Sequence, residues 1–193
     1  MNLKSIAFLT AIPLFLAGCD FEFDYKDSST ASIPTVTSAE LLDPTIAAGN
    51  KFGSLTVILA NGNIVINSPF DDTVATNAGA VHLYNPFTKT VVASFYGDTG
   101  NDKLGDSSIT ALGNNNFVIA SSWDDVNSVV NAGSVMLING ATRAQIGTTP
   151  VSYTHLTLPT TGVMSLASNT FLIASTNEEV NSYVNAGSVT LIK

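Results

Sequence analysis

The sequence predicts an all-β chain assembled from repeated four-stranded antiparallel units, and three observations carry that reading. A five-residue phrase recurs as Asn77-Ala78-Gly79-Ala80-Val81, Asn131-Ala132-Gly133-Ser134-Val135 and Asn185-Ala186-Gly187-Ser188-Val189, 54 residues apart each time. A fixed period of that size marks a repeat architecture. Aligned without a gap, Ser107–Ile138 and Thr161–Ile192 agree at 17 of 32 positions, so the repetition reaches well beyond the phrase. Within each copy the apolar runs are short, rich in Val, Ile and Phe, and bounded by Gly, Asn and Asp. That is the pattern of strands joined by tight turns.

Composition narrows the class further. The chain has 7 basic and 15 acidic side chains and a formal charge of −8. Phosphate backbones need a basic face, so no nucleic-acid partner is expected. Apolar residues make up 45% of the chain, enough for a folded core and against wholesale disorder. Charged residues are only 11%, while Asn, Ser, Thr and Gly are plentiful. Such a polar, weakly charged surface suits an all-β protein outside the cytoplasm. Cys19 is the only cysteine, which rules out an internal disulfide.

Taken in order, residues 1–18 read as an export signal. Lys4 supplies a positive start, Ile6 to Ala17 is apolar but for Thr10 and Pro13, and small residues follow. Twelve helical residues would reach about 18 Å, too short for roughly 30 Å of hydrocarbon. The ending Leu16-Ala17-Gly18-Cys19 resembles the lipobox of bacterial lipoproteins. That resemblance implies cleavage between Gly18 and Cys19, lipid attachment at Cys19 and a membrane as partner through the lipid. It also implies an envelope location: the periplasmic side of the inner membrane if Asp20 acts as a retention signal, otherwise the outer membrane or cell surface. An ordinary secretory signal with an incidental cysteine is the alternative. Residues 19–48, acidic at first and then rich in Ser and Thr, read as a disordered tether. Glu40 to Ala48 is expected to form a helical turn or an incoming strand.

Residues 49–193 hold the repeats, with units at about 52–104, 105–158 and 159–193. First strands are expected at Leu55–Ile58, Ile109–Leu112 and Val163–Leu166, and second strands at Ile64–Asn67, Phe117–Ser121 and Phe171–Ser175. Third strands fall at Ala80–Tyr84, Ser134–Ile138 and Ser188–Ile192, with fourth strands at Thr90–Phe95 and Ala144–Ile146. Phe117-Val118-Ile119-Ala120 and Val135-Met136-Leu137-Ile138 are apolar throughout, as strands buried on both faces are. Short four-stranded units covered on both sides describe β-propeller blades; a β-solenoid is the runner-up. Phe52-Gly53, then Ile64-Val65-Ile66-Asn67-Ser68-Pro69 and Ala78-Gly79-Ala80-Val81, resembles the FG-GAP repeat of integrin-α-type propellers, with Leu104-Gly105 and Val118–Ser122 at the matching places. Leu59-Ala60-Asn61-Gly62-Asn63 also looks like repeats in large bacterial surface proteins.

Many FG-GAP blades bind calcium through carboxylates in the turn between their first two strands. Here those turns are Ala60-Asn61-Gly62-Asn63, Gly113-Asn114-Asn115-Asn116 and Ala167-Ser168-Asn169-Thr170, without an acid. Calcium needs six to eight oxygens with carboxylate charge among them, so no cofactor is expected there.

The loop before each recurring phrase does carry an acidic pair: Asp71-Asp72, Asp124-Asp125 and Glu178-Glu179. On one rim these loops suit a cation or sugar hydroxyls; as plain structure they cap turns and keep the rim soluble. Trp123 stands beside Asp124 and Phe70 beside Asp71, with Asn177 in the third copy. A rim aromatic stacks on a sugar, anchors a protein partner or packs on the next unit. His82 in its strand reads as structural. No Gly-x-Ser-x-Gly elbow, phosphate loop or His-Glu-x-x-His motif occurs, so no catalytic residues are assigned and no enzyme is expected.

Residues 151–160 break the register. Val151 to Thr160 should match Gly97 to Asp106, yet it lacks glycine and acid and resembles translated sequencing-adaptor sequence. The chain stops at Lys193, after the third strand of the third copy, so an incomplete propeller of about two and a half blades is expected. The expected function is an envelope lipoprotein acting as a binding or scaffold module for protein or glycan. An envelope hydrolase on a propeller frame and a purely structural surface protein are the alternatives.

Overall fold

The computed structural model describes residues 39–126, 128–147, 160–167, 170–175 and 188–192. Eleven strands and no helix occur among the described residues. In the first copy, β1 (Thr56–Ile58), β2 (Ile64–Ser68), β3 (Ala80–Asn85) and β4 (Thr90–Tyr96) pair in chain order as an antiparallel meander. The second copy repeats it with β5 (Ser108–Ala111), β6 (Phe117–Ser121), β7 (Ser134–Asn139) and β8 (Ala144–Gln145). The third sheet contains β9 (Thr160–Ala167), β10 (Thr170–Ser175) and β11 (Ser188–Ile192). Every expected strand is present, with ends displaced by a residue or two; β9 alone starts clearly early, at Thr160 instead of Val163. The adaptor-like residues 151–159 lie outside the described residues.

The turns explain why asparagine is so common. Asn61 Oδ1 accepts from the Asn63 N–H at 3.0 Å, and Asn114 Oδ1 from the Asn116 N–H at 3.2 Å. Asn85 and Asn139 do the same for Phe87 and Ala141, both at 2.9 Å. A short amide side chain that folds back on its own backbone stabilises a turn without charge. In the first two copies the turns between first and second strands are therefore self-closed.

Two cores separate the sheets. Leu59, Val65, Val81 and Leu83 of the first copy meet Phe117, Ile119 and Ile138 of the second. On the other side of β6 and β7, Val118, Ala120 and Val135 meet Phe171 and Ile173 of the third sheet. Thr110 adds a hydroxyl bond to the Val163 carbonyl at 3.0 Å. Alternate side chains of β6 thus enter opposite cores, which is why Phe117 to Ala120 are apolar at each position.

Asn67 links the first two sheets by polar means. Its Oδ1 accepts from the Leu55 N–H at 2.6 Å and its Nδ2 donates to the Gly105 carbonyl at 3.0 Å. The Gly105 N–H in turn donates to the Ser121 hydroxyl at 2.9 Å. Gly105 is held at φ +75°, and an added Cβ would meet Val81 at 2.6 Å. Asn67 is fully buried, so truncating it strands a buried donor and acceptor. Asn67→Ala is expected to cost about 2–3 kcal/mol, read as a lower urea midpoint at unchanged slope.

The segment from residue 39 to residue 53 makes turns at 44–45 and 48–49, without the helical turn or strand expected for Glu40 to Ala48. It lies against the face of the first sheet turned away from the cores. The Tyr84 hydroxyl donates to the Leu42 carbonyl, and Phe52 packs against His82 and Tyr84 with ring centroids 6.3 and 6.0 Å away.

Candidate functional site

The loops between second and third strands, 69–79 and 122–133, fold alike. The Gly79 N–H donates to the Asp71 carbonyl at 3.0 Å, and the Gly133 N–H to the Asp124 carbonyl at 2.9 Å. Asn77 and Asn131 take φ of 52° and 51°, with Gly79 and Gly133 at 80° and 75°. Asn and Gly tolerate this left-handed region, which explains the recurring phrase.

The members of each acidic pair have different surroundings. Asp71 is buried and accepts from the Thr73 N–H at 2.8 Å, while the more exposed Asp72 accepts from the Asn77 N–H at 2.7 Å. Asp124 is buried, and half-buried Asp125 accepts from the Asn131 N–H at 2.7 Å. In the two described pairs the second acid closes the loop onto the recurring asparagine. Glu178 and Glu179 lie outside the described residues, as do Gly18 and Cys19.

Beside these loops stand two lysines that the sequence reading did not single out. Lys51 Nζ lies 4.3 Å from the centroid of the Phe70 ring; Lys103 Nζ lies 3.8 Å from Trp123 and 5.8 Å from Phe70. The rim therefore carries an alternation of cation and ring, each close contact contributing about 0.5–1 kcal/mol at such a site. A signal existed: Gly49-Asn50-Lys51-Phe52-Gly53 and Asn101-Asp102-Lys103-Leu104-Gly105 place lysine at the same point, with φ of 55° and 49°. Val74 and Val130 are exposed on the same loops.

The second loop is electrostatically loaded. Asp98, Asp102 and Asp124 each bring one carboxylate oxygen within 4.8 Å of the others. Buried Asp102 accepts from the Thr99 N–H and hydroxyl, each at 2.6 Å, and from the Asp125 N–H at 3.3 Å. Burial pushes the Asp124 carboxyl up to about 6, and the charges of Asp102, Asp98 and Asp125 push the same way. Lys103 lies on the same rim. A carboxyl that is a weaker acid folded than unfolded binds its proton preferentially in the native state, so its penalty on the fold builds as pH rises from about 4 and is complete above about pH 6. Asp106 is also raised, by burial, so its effect has the same sign. Acidification from pH 7 to pH 5 is expected to stabilise the protein by about 0.5–1 kcal/mol through Asp124 after allowing for solvent screening. Urea melts of wild type and Asp124→Asn at both pH values check this; the variant should lose most of the gain.

A second cluster lies on the outer face of the first sheet. Asp43, Asp71 and His82 each present one ligand atom within 4.8 Å of the others. His82 Nδ1 is 2.9 Å from the Ser94 hydroxyl. Burial lowers the His82 pKa despite the opposing charges of Asp43 and Asp71, which favours the neutral ring. Burial raises the Asp43 carboxyl, but hydrogen bonds from Asn50 and Thr45 together with His82 outweigh it and hold the group below its ordinary value. Burial, with Asp43 nearby, pushes the Tyr84 hydroxyl up to about 12. The repeat alone leaves His82 without a carboxylate; Asp43 arrives from the leading segment and Asp71 from the neighbouring loop.

The chain matches no protein-family model, no curated protein and no solved structure. The functional reading therefore rests on these loops and clusters.

Proposed function

We propose that the protein is a lipid-anchored bacterial envelope lipoprotein. Its repeats are blades of an FG-GAP-like β-propeller, and it acts as a non-catalytic binding or scaffold module for protein or glycan. One observation carries the binding part: loops 69–79 and 122–133, tied down by their own acids, hold Phe70 and Trp123 against Lys51 and Lys103 of the neighbouring segments, with Val74 and Val130 exposed on the loops. Pre-ordered aromatic and cationic side chains limit the entropy lost on binding, and rings of this kind dominate contact energies. The propeller is supported by three successive antiparallel sheets, the middle one buried on both faces. The anchor rests on Leu16-Ala17-Gly18-Cys19.

Two experiments test the reading. Metabolic labelling with a palmitate analogue should mark the wild type and fail in Cys19→Ser; label that survives the substitution refutes the anchor. A glycan array probed with wild type and Trp123→Ala should show hits that fall about tenfold or more in the variant. Hits equally strong in both would move the contact off this rim, and blank arrays would leave protein as the ligand class to be found by cross-linking.

A further inference from the structure

We propose that Asp43, Asp71 and His82 form a binding site for one divalent transition-metal cation of the zinc class, seated between the leading segment and the outer face of the first sheet. The ligand atoms lie within 4.8 Å of one another. A tetrahedral zinc with bonds of about 2.0–2.2 Å holds its donors roughly 3.3–3.6 Å apart, so side-chain shifts of about an ångström would bring all three onto a single ion.

A second observation points to the same place. His82 is fully buried, yet its Nε2 has no hydrogen-bond partner; Asn50, also buried, has an unpartnered Oδ1. Buried polar atoms are nearly always satisfied, and both of these are able to accept or to ligate. The hydrogen bonds around the two carboxylates come from neutral groups. Asp43 receives the Thr45 N–H and hydroxyl at 3.0 Å, Asn50 Nδ2 at 2.9 Å and the Ser68 hydroxyl at 3.4 Å. Asp71 shares the single Thr45 hydroxyl proton with Asp43, and also receives the Asn50 Nδ2 at 3.4 Å and the Thr73 N–H. Two carboxylates so close together repel unless a cation lies between them. A dication would balance both charges and give the imidazole its missing partner. Rotating the Asn50 amide by half a turn would then place its oxygen where Nδ2 now meets both acids, as a fourth donor.

The donor types choose the ion. One imidazole nitrogen with carboxylate and amide oxygens suits zinc-like ions, whereas calcium requires six to eight oxygens. The Ser94 hydroxyl on Nδ1 is the outer partner that fixes the orientation of a ligating histidine. The site lies outside the turns between first and second strands.

The full chain, stripped with a chelator, is titrated with zinc, manganese and calcium chlorides by calorimetry, with thermal melting in parallel. Expected are one zinc per chain, a higher melting temperature and weaker binding of calcium than of zinc. Asp43→Asn lies outside the sheets, which protects the fold, and should weaken zinc at least tenfold; Ser94→Ala should weaken it by a similar factor. His82→Gln should do the same where it folds. Absence of saturable zinc binding overturns the proposal, as does calcium binding more tightly than zinc. Zinc held equally well by wild type and Asp43→Asn sits elsewhere, at Asp98, Asp102 and Asp124 or at Cys19, and also overturns it.

Discussion

Phe117→Ala is expected to lower the stability of the folded protein by about 3–5 kcal/mol, the range for truncating a fully buried aromatic ring. Phe117 opens β6 with no exposed surface and packs edge-to-face on Phe95, with ring centroids 5.9 Å apart. It belongs to the core shared by the first two sheets, so its loss removes contacts on both sides of that junction. Backbone pairing on either side of β6 limits collapse around the void. The expected drop in melting temperature is roughly 8–20 °C for a domain of this size. Phe117→Leu, which keeps most of the volume, should recover more than half of the loss. A drop below about 1 kcal/mol in the alanine variant would mean that the two sheets are not packed as described.

Gly79→Ala should be nearly as damaging, although Gly79 is a loop residue. Its φ is +80°, where an L side chain is strained. A Cβ there would also come within 2.4 Å of the Leu104 backbone nitrogen. The neighbouring carbonyls show why the approach is so close. Thr76, Asn77, Ala78 and Gly79 accept in turn from the N–H groups of Asn101, Lys103, Leu104 and Gly97. The recurring phrase is thus the strip on which the connection between sheets is laid. Strain and displacement together are expected to cost about 2–4 kcal/mol, read by urea melts. Gly113→Ala, with open space and no positive φ, is the control and should change little.

The sequence displays the strands well because the repeat states each of them more than once. β6 is legible even in its burial, since Phe117 to Ala120 are all apolar and opposite cores claim alternate residues, whereas Met136 and Leu137 of β7, read as buried on both faces, are half-buried. What escaped reading came from outside the repeat or out of its register. Asp43 belongs to no copy, so His82 looked solitary. Lys51 and Lys103 are 52 residues apart, two short of the period that aligns the phrases, which hid their equivalence. Nor could adjacency reveal that the two acids of each pair divide their roles. Asp71 turns inward to Thr45 and Asn50, and Asp72 outward to the Asn77 N–H. That division follows from the loop's path, which neighbouring letters do not encode.

Site-specific photo-cross-linking in intact bacteria that produce the protein tests the binding face most directly. One probe replaces Val74, exposed on the rim loop; the other replaces Phe87, an exposed residue on a hairpin turn at the opposite end of the first sheet. Discrete adducts from position 74, weakened by Trp123→Ala and lacking at position 87, are the predicted result. Adducts confined to position 87, or none at either position, would contradict a module that works through this rim.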